Sequence, residues 1–215
     1  MIKLANIVLA SPEQMEFIIE GMRNPMNSWS KSDSTFDERG YAIELGSVDK
    51  DLLQRLTDSG NEHRKALRMM TVDLDIVAPM YWWKQFDTYK VGTACNSCST
   101  MHKLTYKTFE VEDFSHEHLT APGTMSILRN IIDVMNIYRD NYLEAEETEE
   151  KQMWWWAIIQ IMPMSYNQRR TVHLNYEVLY QIYRQRKHHK LGEWHTFCDW
   201  IAEISDMPEI KNVER

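Results

Sequence analysis

The stretch APMYWWKQFDTYKVGTACNSCS, residues 78–99, decides the fold of this chain. Residues 69–78 lead into it with alternating apolar and polar side chains, which is the period of a strand with one buried face. Proline is favoured in the first turn of a helix, and Pro79 stands where the alternation ends. Residues 80–86 then supply bulky apolar side chains for burial. The sequence therefore predicts a strand that leads directly into a short buried helix.

Helical patterns dominate the rest of the chain, and strands are few. Besides residues 69–78, the apolar residues 2–10 predict a strand. Ser11 and Pro12 then provide a helix cap and a first-turn proline. Further helices are predicted at residues 12–22, 49–59, 124–143, 153–162, 176–186 and 193–204, the fourth of them buried. The predicted class is α+β: a helix-rich single domain, residues 1–215, with a small mixed or antiparallel sheet.

Residues 24–46 carry no clear apolar period and begin with the polar run NPMNSWSKSDSTFDERG. Loops of this length in compact domains are usually functional or disordered. The segment is therefore predicted to be a long mobile loop, able to close over a site and exclude water.

The composition is that of an ordinary globular protein. Of 215 residues, 43% are hydrophobic and 26% are charged, which argues against a disordered or fibrous chain. The formal net charge of -8 argues against a general nucleic-acid binder, because counterion release needs clustered lysine and arginine. An anionic ligand therefore needs a local basic pocket.

One dense basic tract could form such a pocket. It comprises residues 184–190, with Arg169 and Arg170 as further cations. The alternative is a solvated helix end, where cations also complement the helix dipole. The sequence leaves both interpretations open.

Cysteine usage and hydropathy bear on the compartment. No apolar run approaches the about 20 residues needed to span a bilayer, and the first residues lack the pattern of a signal peptide. Three cysteines are too few for a disulfide framework and fit a reducing compartment. The prediction is a cytoplasmic protein without a membrane partner.

Cys95 and Cys98 form a C-x-x-C motif, and His102 follows at a metal-ligand spacing. A structural zinc site needs four ligands, and no second C-x-x-C or H-x-x-x-H completes this one. The alternative is two small residues of a turn that happen to be cysteine. We predict no metal at this motif.

Residues 153–156, Met-Trp-Trp-Trp, have two interpretations. They could form an aromatic platform for a planar cofactor, or they could pack in a core or an oligomer interface, which is the commoner role of aromatics on a buried helix. The motifs of Rossmann folds, Walker loops and serine hydrolases are absent from the sequence.

The opening stretch resembles a motif of the flavin-dependent thymidylate synthases. Ala78-Pro79, Gln85 and Thr88-Tyr89-Lys90 align without a gap with the family's A-P-x5-Q-x-x-R-H-R. Asn96 and Ser99 then resemble the family's N-E-x-S, with one extra residue before them. In the family this segment binds the flavin and the nucleotide, and its serine contacts the nucleotide phosphate.

A second block, far away in sequence, is similar to the same family. Pro163, Asn175 and Arg186 keep the spacing of the family's L-P turn, its helix-opening Asn and its pyrimidine-binding Arg. Trp194 falls near the family's A-Q-W-E-I, again with one residue extra. The two blocks cover about half of the chain.

The resemblance implies an enzyme that methylates dUMP, or modifies a related pyrimidine deoxynucleotide, with FAD, NADPH and methylene-tetrahydrofolate. It further implies a homotetramer with sites between subunits, and it makes Arg186 the catalytic residue that polarises the pyrimidine. The predicted substrate-binding residues are Gln85, Ser99, Lys103 and Arg186. The predicted cofactor-binding residues are Thr88, Tyr89, Lys90, Asn96, Asn175 and Gln181.

The chain differs from the family pattern mainly where the pattern carries charge. Thr88-Tyr89-Lys90 keeps one cation of the family's Arg-His-Arg, and Met101 and Ile159 stand where the family has arginines. As a hypothesis, nearby cations restore the charge from other positions: Lys90, His102, Lys103 and Arg169. The alternative function is a noncatalytic or flavin-independent nucleotide-binding or interaction module on the same fold.

Overall fold

The computed structural model describes residues 1–36, 43–99 and 103–209. In chain order its elements are β1 (Lys3–Leu9), α1 (Pro12–Met22), β2 (Thr35–Phe36), β3 (Ile43–Glu44), α2 (Ser47–Asp58), α3 (Lys65–Met69), β4 (Thr71–Pro79), α4 (Met80–Phe86), β5 (Ala94–Ser97), α5 (Thr124–Glu144), α6 (Thr148–Ile161), β6 (Asn167–Asn175), α7 (Tyr176–Arg186) and α8 (Gly192–Ala202). Helix prevails, and the sheet is small and antiparallel. The predicted α+β class is confirmed.

The main sheet has the strand order β1-β4-β6-β5, and β2 and β3 form a separate hairpin. The chain divides into two compact units. Unit 1 comprises Met1–Lys3, Ile76–Thr88 and Asn96–Arg170. Unit 2 comprises Leu4–Asp75, Tyr89–Cys95 and Thr171–Arg215. The single-domain prediction remains a prediction. No helix in the described parts of the chain is long and apolar enough to cross a membrane.

The predicted passage from strand to helix is confirmed at β4 and α4, where the strand ends at Pro79 and the helix begins at Met80. In the unit 2 part of β4, Val72 and Leu74 are buried as the alternation predicts. Asp75 belongs to the polar face but is buried as well. Its carboxylate accepts hydrogen bonds from Asn6 Nδ2 and Thr171 Oγ1, both at 2.6 Å. Buried polar groups need such partners.

Helix α4 supplies the aromatic core of unit 1. Trp82, Trp83 and Phe86 are almost wholly buried. The rings of Trp82 and Phe86 stack at 5.1 Å between centroids, and Trp83 meets both edge-on. Trp83 Nε1 donates to the carbonyl of Gln168 in β6 at 3.0 Å. The apolar run at residues 80–86 is therefore core, as predicted.

A second cluster of unit 1 lies between α5 and α6. It contains the buried residues Leu104, Phe109, Phe114, Leu128, Ile132, Met135 and Ile158. The prediction of a buried helix at residues 153–162 is wrong in two respects. The helix begins earlier, at Thr148, and it buries only one face, so that Met153 and Trp156 are about half exposed. The tryptophan run is thus only partly core.

Two strands of the main sheet and one short helix were not predicted from the sequence. β6 covers residues between predicted helices, and β5 covers the segment interpreted as a cysteine turn. The prediction of a turn at Cys95 is therefore wrong, because Cys95 lies inside β5. Short α3 also carries no signal of its own in the sequence.

The described part of residues 24–46 is more ordered in its hydrogen bonding than a loop prediction suggests. It contains two 3-10 turns, Asn24–Met26 and Trp29–Lys31, and the β2–β3 hairpin. Residues 37–42 lie outside the described residues. The predicted mobility of the segment stays a prediction.

Asp49 of α2 holds the first half of this segment. The Asp49 carboxylate is fully buried and forms an ion pair with buried Arg23, with 2.5 Å between Arg23 Nη2 and Asp49 Oδ1. It also accepts hydrogen bonds from the hydroxyl groups of Ser32 and Ser34 at 2.7 and 2.6 Å. The backbone N–H groups of Asp33 and Ser34 complete the set at 3.1 Å.

Asp33 in turn caps the N-terminus of α2. Its carboxylate accepts hydrogen bonds from the backbone N–H groups of Val48 and Asp49 at 3.0 and 3.1 Å. These N–H groups belong to the first turn of α2, where no helical partner exists. The helix cap thus comes from a distant residue, because the position before the helix is Gly46, which has no side chain to offer.

Acidification is expected to destabilise this arrangement. Burial alone would raise the pKa of Asp49, but the hydrogen bonds from Ser34, Ser32 and Arg23 outweigh it, and the pKa is lowered. A lowered folded-state pKa contributes stability that is complete above the unfolded value of about 4 and is lost as the pH falls through the folded value. Denaturant unfolding at pH 3 and pH 7 measures the loss. The Asp49→Asn variant should lose less on acidification, and an equal loss would contradict this prediction.

Candidate functional site

The predicted site residues fall in both units. In unit 1 they are Gln85, Thr88, Asn96, Ser99 and Lys103. In unit 2 they are Tyr89, Lys90, Asn175, Gln181 and Arg186. His102 and Met101 lie outside the described residues. Each set has its own geometry.

Helix α7 positions the residues of unit 2. It begins at Tyr176, and the side-chain oxygen of Asn175 caps it by accepting from the N–H of Val178 at 3.1 Å. The Asn175 amide nitrogen lies against Gly92, where a Cβ would come within 2.5 Å of it. Gly92 also has a φ of 75°, which favours glycine. The Asn175 side chain is therefore engaged in building the helix start, and cofactor contact by it stays a prediction.

Arg186 lies in the last turn of α7, where a cation complements the helix dipole. Its Nε donates a hydrogen bond to the Tyr89 hydroxyl at 3.0 Å. Its guanidinium carbon lies 5.1 Å from the centre of the buried Trp194 ring. Among the residues that the structure describes, none accepts a hydrogen bond from Arg186 Nη1 or Nη2. The side chain of Arg186 is half-buried, and its two terminal nitrogens are not engaged by the described residues.

Tyr89 joins this cluster from the segment before β5. Its hydroxyl donates to Gln185 Oε1 at 2.9 Å while it accepts from Arg186. Burial raises the pKa of Tyr89, and the hydrogen bond from Arg186 opposes that rise only in part. The phenol is therefore protonated at neutral pH. The rings of Tyr89 and Trp194 meet at 6.2 Å and 68°.

His189 and Cys198 border the same cluster. Burial lowers the pKa of His189, and the charges of Arg186, His195 and Lys190 lower it further. Its Nδ1 accepts from the N–H of Leu191 at 3.1 Å, so the neutral ring carries its proton on Nε2. Burial raises the pKa of the Cys198 thiol to about 12, which makes it unreactive at neutral pH.

Of the predicted residues of unit 1, Gln85 and Thr88 lie together at the end of α4, and Lys103 follows β5. The Thr88 hydroxyl donates to the carbonyl of Gln85 at 2.7 Å and closes the end of α4. Lys103 Nζ donates to the hydroxyl of Tyr106 at 2.7 Å and is exposed. The side chain of Gln85 is half-buried.

The segment after β5 is fixed to β6. The Cys98 N–H donates to the carbonyl of Arg169 at 3.1 Å, and the Gln168 side chain donates to the Cys98 carbonyl at 2.8 Å. These bonds place Arg169 beside the chain that leads to half-buried Ser99, while Asn96 in β5 is exposed. Among the described cations of the charge-restoring hypothesis, Arg169 is thus one that β6 brings to this segment.

The thiols of Cys95 and Cys98 are exposed. Within the described ranges, no group of three or more His, Cys, Asp or Glu side chains is arranged to hold a metal ion.

Sequence reasoning missed Gln185, the hydrogen-bond partner of Tyr89, and the contact of Trp194 with Arg186. Gln185 was not singled out, because a glutamine at a helix end carries no signal of its own. Trp194 was noted only for its position near a family motif. The contact of its ring with the guanidinium of Arg186 depends on the fold. Tyr89 and Arg186 are 97 positions apart in the sequence, so no local pattern could reveal their contact.

The residues at the flavin positions do not fit FAD in the manner that the resemblance implies. The diphosphate of FAD is anionic, and the three successive positions offer one cation, Lys90. The hydroxyl of Thr88 is bonded to the backbone, and that of Tyr89 is held between Gln185 and Arg186. The local charge that would hold a diphosphate is therefore missing from this segment.

Among the comparisons with known proteins, the one with solved structures shows the fold. No protein-family model matches the chain, and no curated protein matches it. Two crystal structures of thymidylate synthase X from Helicobacter pylori with FAD and dUMP are similar to it. The first has a TM-score of 0.62 and 16% identity over 93% of this chain and 90% of that one. The second has a TM-score of 0.60 and 15% identity over 97% and 99%. The chain thus has the fold of the flavin-dependent thymidylate synthases.

Proposed function

We propose that this chain binds a pyrimidine deoxynucleotide of the dUMP type through Arg186, without flavin. The observation that carries the proposal is the way in which the guanidinium of Arg186 is held. Its guanidinium is held on one side by Tyr89 and on one face by Trp194, while Nη1 and Nη2 have no acceptor among the described residues. A guanidinium that is fixed on one side and on one face can donate hydrogen bonds from its terminal nitrogens to oxygen acceptors of a planar group.

The chemistry of a pyrimidine fits such an edge. A ring carbonyl oxygen has two lone pairs in the plane of the base, and each can accept an N–H from a guanidinium. The charge of arginine also stabilises electron density on the ring without any loss of a proton. Gln85, Ser99 and Lys103 remain predicted substrate-binding residues, and the proposal depends on none of them.

The full reaction implied by the resemblance, reductive methylation with FAD, NADPH and methylene-tetrahydrofolate, is the alternative. The fold likeness to proteins solved with FAD and dUMP favours it. The occupied hydroxyls of Thr88 and Tyr89 and the single cation Lys90 favour the flavin-independent binder. The homotetramer that the resemblance implies remains a prediction, whichever of the two functions is correct.

Replacing Arg186 by alanine is expected to weaken dUMP binding about 10- to 100-fold, because a hydrogen bond to a charged group contributes about 1.5–3 kcal/mol. Isothermal titration calorimetry measures the affinity. The matched control is Arg184→Ala, two residues earlier on α7, whose guanidinium lies over the Tyr180 ring. That variant should bind dUMP like the unchanged chain.

Three results would contradict the proposal. They are the absence of dUMP binding by the unchanged chain, equal losses in the two arginine variants, and co-purification of FAD. The third is read from the visible absorbance of the purified protein before and after addition of FAD with dUMP. Flavin bands that bleach on adding NADPH would favour the synthase alternative instead.

A further inference from the structure

We infer that Tyr89 is a positioning residue that sets the direction of the Arg186 guanidinium edge. The inference rests on the proposed function, because it concerns the same nucleotide contact. Tyr89 stands where the related family has the histidine of its Arg-His-Arg motif.

The hydrogen bonds around the phenol have a fixed polarity. Arg186 Nε has a single hydrogen and donates it to the Tyr89 oxygen at 3.0 Å. The Tyr89 hydroxyl has a single hydrogen too, and it goes to Gln185 Oε1 at 2.9 Å. The phenol thus accepts from one neighbour and donates to the next. A phenylalanine ring would occupy the same space and do neither.

These contacts restrict the guanidinium in two independent ways. The bond from Nε restricts rotation of the group within the arginine side chain. The Trp194 ring, which is 0% exposed, supports one face of the guanidinium at 5.1 Å. With the Nε side and one face engaged, the two terminal nitrogens point along the remaining edge. Such preorganisation lowers the entropy that ligand binding would otherwise lose.

A purely structural role for Tyr89 makes different predictions. In that case the bond to Gln185 would pin the end of α7, and the bond to Arg186 would be incidental. Loss of either bond would then lower the melting temperature and leave nucleotide affinity unchanged. The two roles are separable because Gln185 and Arg186 each contact the phenol through a different atom pair.

The first test compares Tyr89→Phe with Gln185→Ala. Tyr89→Phe removes the acceptor for Arg186 Nε and keeps the ring near Trp194. We expect the Kd for dUMP to rise by up to about tenfold, because binding must then order an arginine side chain that the bond to Tyr89 had already fixed. Gln185→Ala leaves the Tyr89–Arg186 bond in place, and its Kd should equal that of the unchanged chain. Melting curves of both variants monitor folding.

The second test is a double-mutant cycle with Arg186→Lys, which keeps the positive charge but has no Nε. If Tyr89 acts through Arg186, then Tyr89→Phe should change the Kd little in the Arg186→Lys background. A tenfold loss that persists in that background would overturn the inference. An unchanged Kd for Tyr89→Phe in the natural background, or an equal loss in Gln185→Ala, would overturn it as well.

The failures of the inference and of the proposed function are distinguishable. If the unchanged chain binds no dUMP, the proposed function fails and the inference fails with it. If the chain binds dUMP and Arg186→Ala loses the binding while Tyr89→Phe does not, only the inference fails.

Discussion

Asp49→Ala is expected to lower the free energy of unfolding by about 3–5 kcal/mol, the usual effect of removing one partner of a buried ion pair. The variant leaves the guanidinium of Arg23, which is 2% exposed, without its counterion. It also removes the acceptor of the hydrogen bonds from Ser32 and Ser34 and from the N–H of Asp33. The loss therefore combines an uncompensated charge with the release of a whole chain segment.

Urea unfolding followed by circular dichroism measures this loss. The matched control is Asp51→Ala, a change of the same chemistry two residues later on α2 at an exposed position. Surface substitutions of this kind typically change stability by less than about 0.5 kcal/mol. Similar losses in the two variants would show that the buried carboxylate has no special role, and the prediction would be wrong.

The elements that the sequence predicted well are those whose burial follows a simple period. Strand β4 alternates, and α7 begins with a capping Asn and ends at Arg186, so both appear in the sequence much as they do in the structure. Helix α5 differs from its prediction by a single residue at its end. Local signals were sufficient for β4 and α5 because their apolar residues recur with the period of the element, and for α7 because its cap and its apolar content mark a helix.

Long-range pairing produced the elements that were missed. β6 has the sequence NQRRTVHLN, in which polar Gln168 is buried because its side chain donates to the Cys98 carbonyl. A buried glutamine interrupts the alternation of apolar and polar residues by which a strand is recognised in a sequence. The Asp49–Arg23 pair likewise joins residues 26 positions apart, so the anchored segment between them looks like a plain polar loop.

The sequence predicted which residues belong to the candidate site, but it did not predict which of them contact one another. Family spacing named Tyr89 and Arg186 in two separate blocks with different roles, one for cofactor and one for substrate. The structure makes them direct partners at 3.0 Å. Their contact depends on the packing of the segment before β5 against α7, which no local pattern encodes.

Trp83→Ala is expected to destabilise the protein by about 3–5 kcal/mol, as truncation of a large buried aromatic usually does. Trp83 is 0% exposed and packs edge-on against Trp82 and Phe86. The guanidinium of Arg170 lies 4.2 Å from its ring centre. Truncation leaves a cavity among rigid rings that cannot collapse to fill it.

The polar contacts of Trp83 allow the cavity and the hydrogen bond to be separated. Trp83→Phe keeps most of the aromatic volume but loses the donor to the Gln168 carbonyl, so its cost should be about 1–3 kcal/mol, that of one unsatisfied buried acceptor. Trp29→Ala, at a tryptophan that is 46% exposed, serves as the control and should cost much less than Trp83→Ala. Guanidinium chloride unfolding of the three variants gives the comparison. Equal losses for Trp83→Ala and Trp83→Phe would mean that the hydrogen bond rather than the packing dominates. In that case the hydrogen bond to the Gln168 carbonyl would be the main interaction between α4 and β6. The apolar run at residues 80–86 would then contribute less to stability than its burial implies.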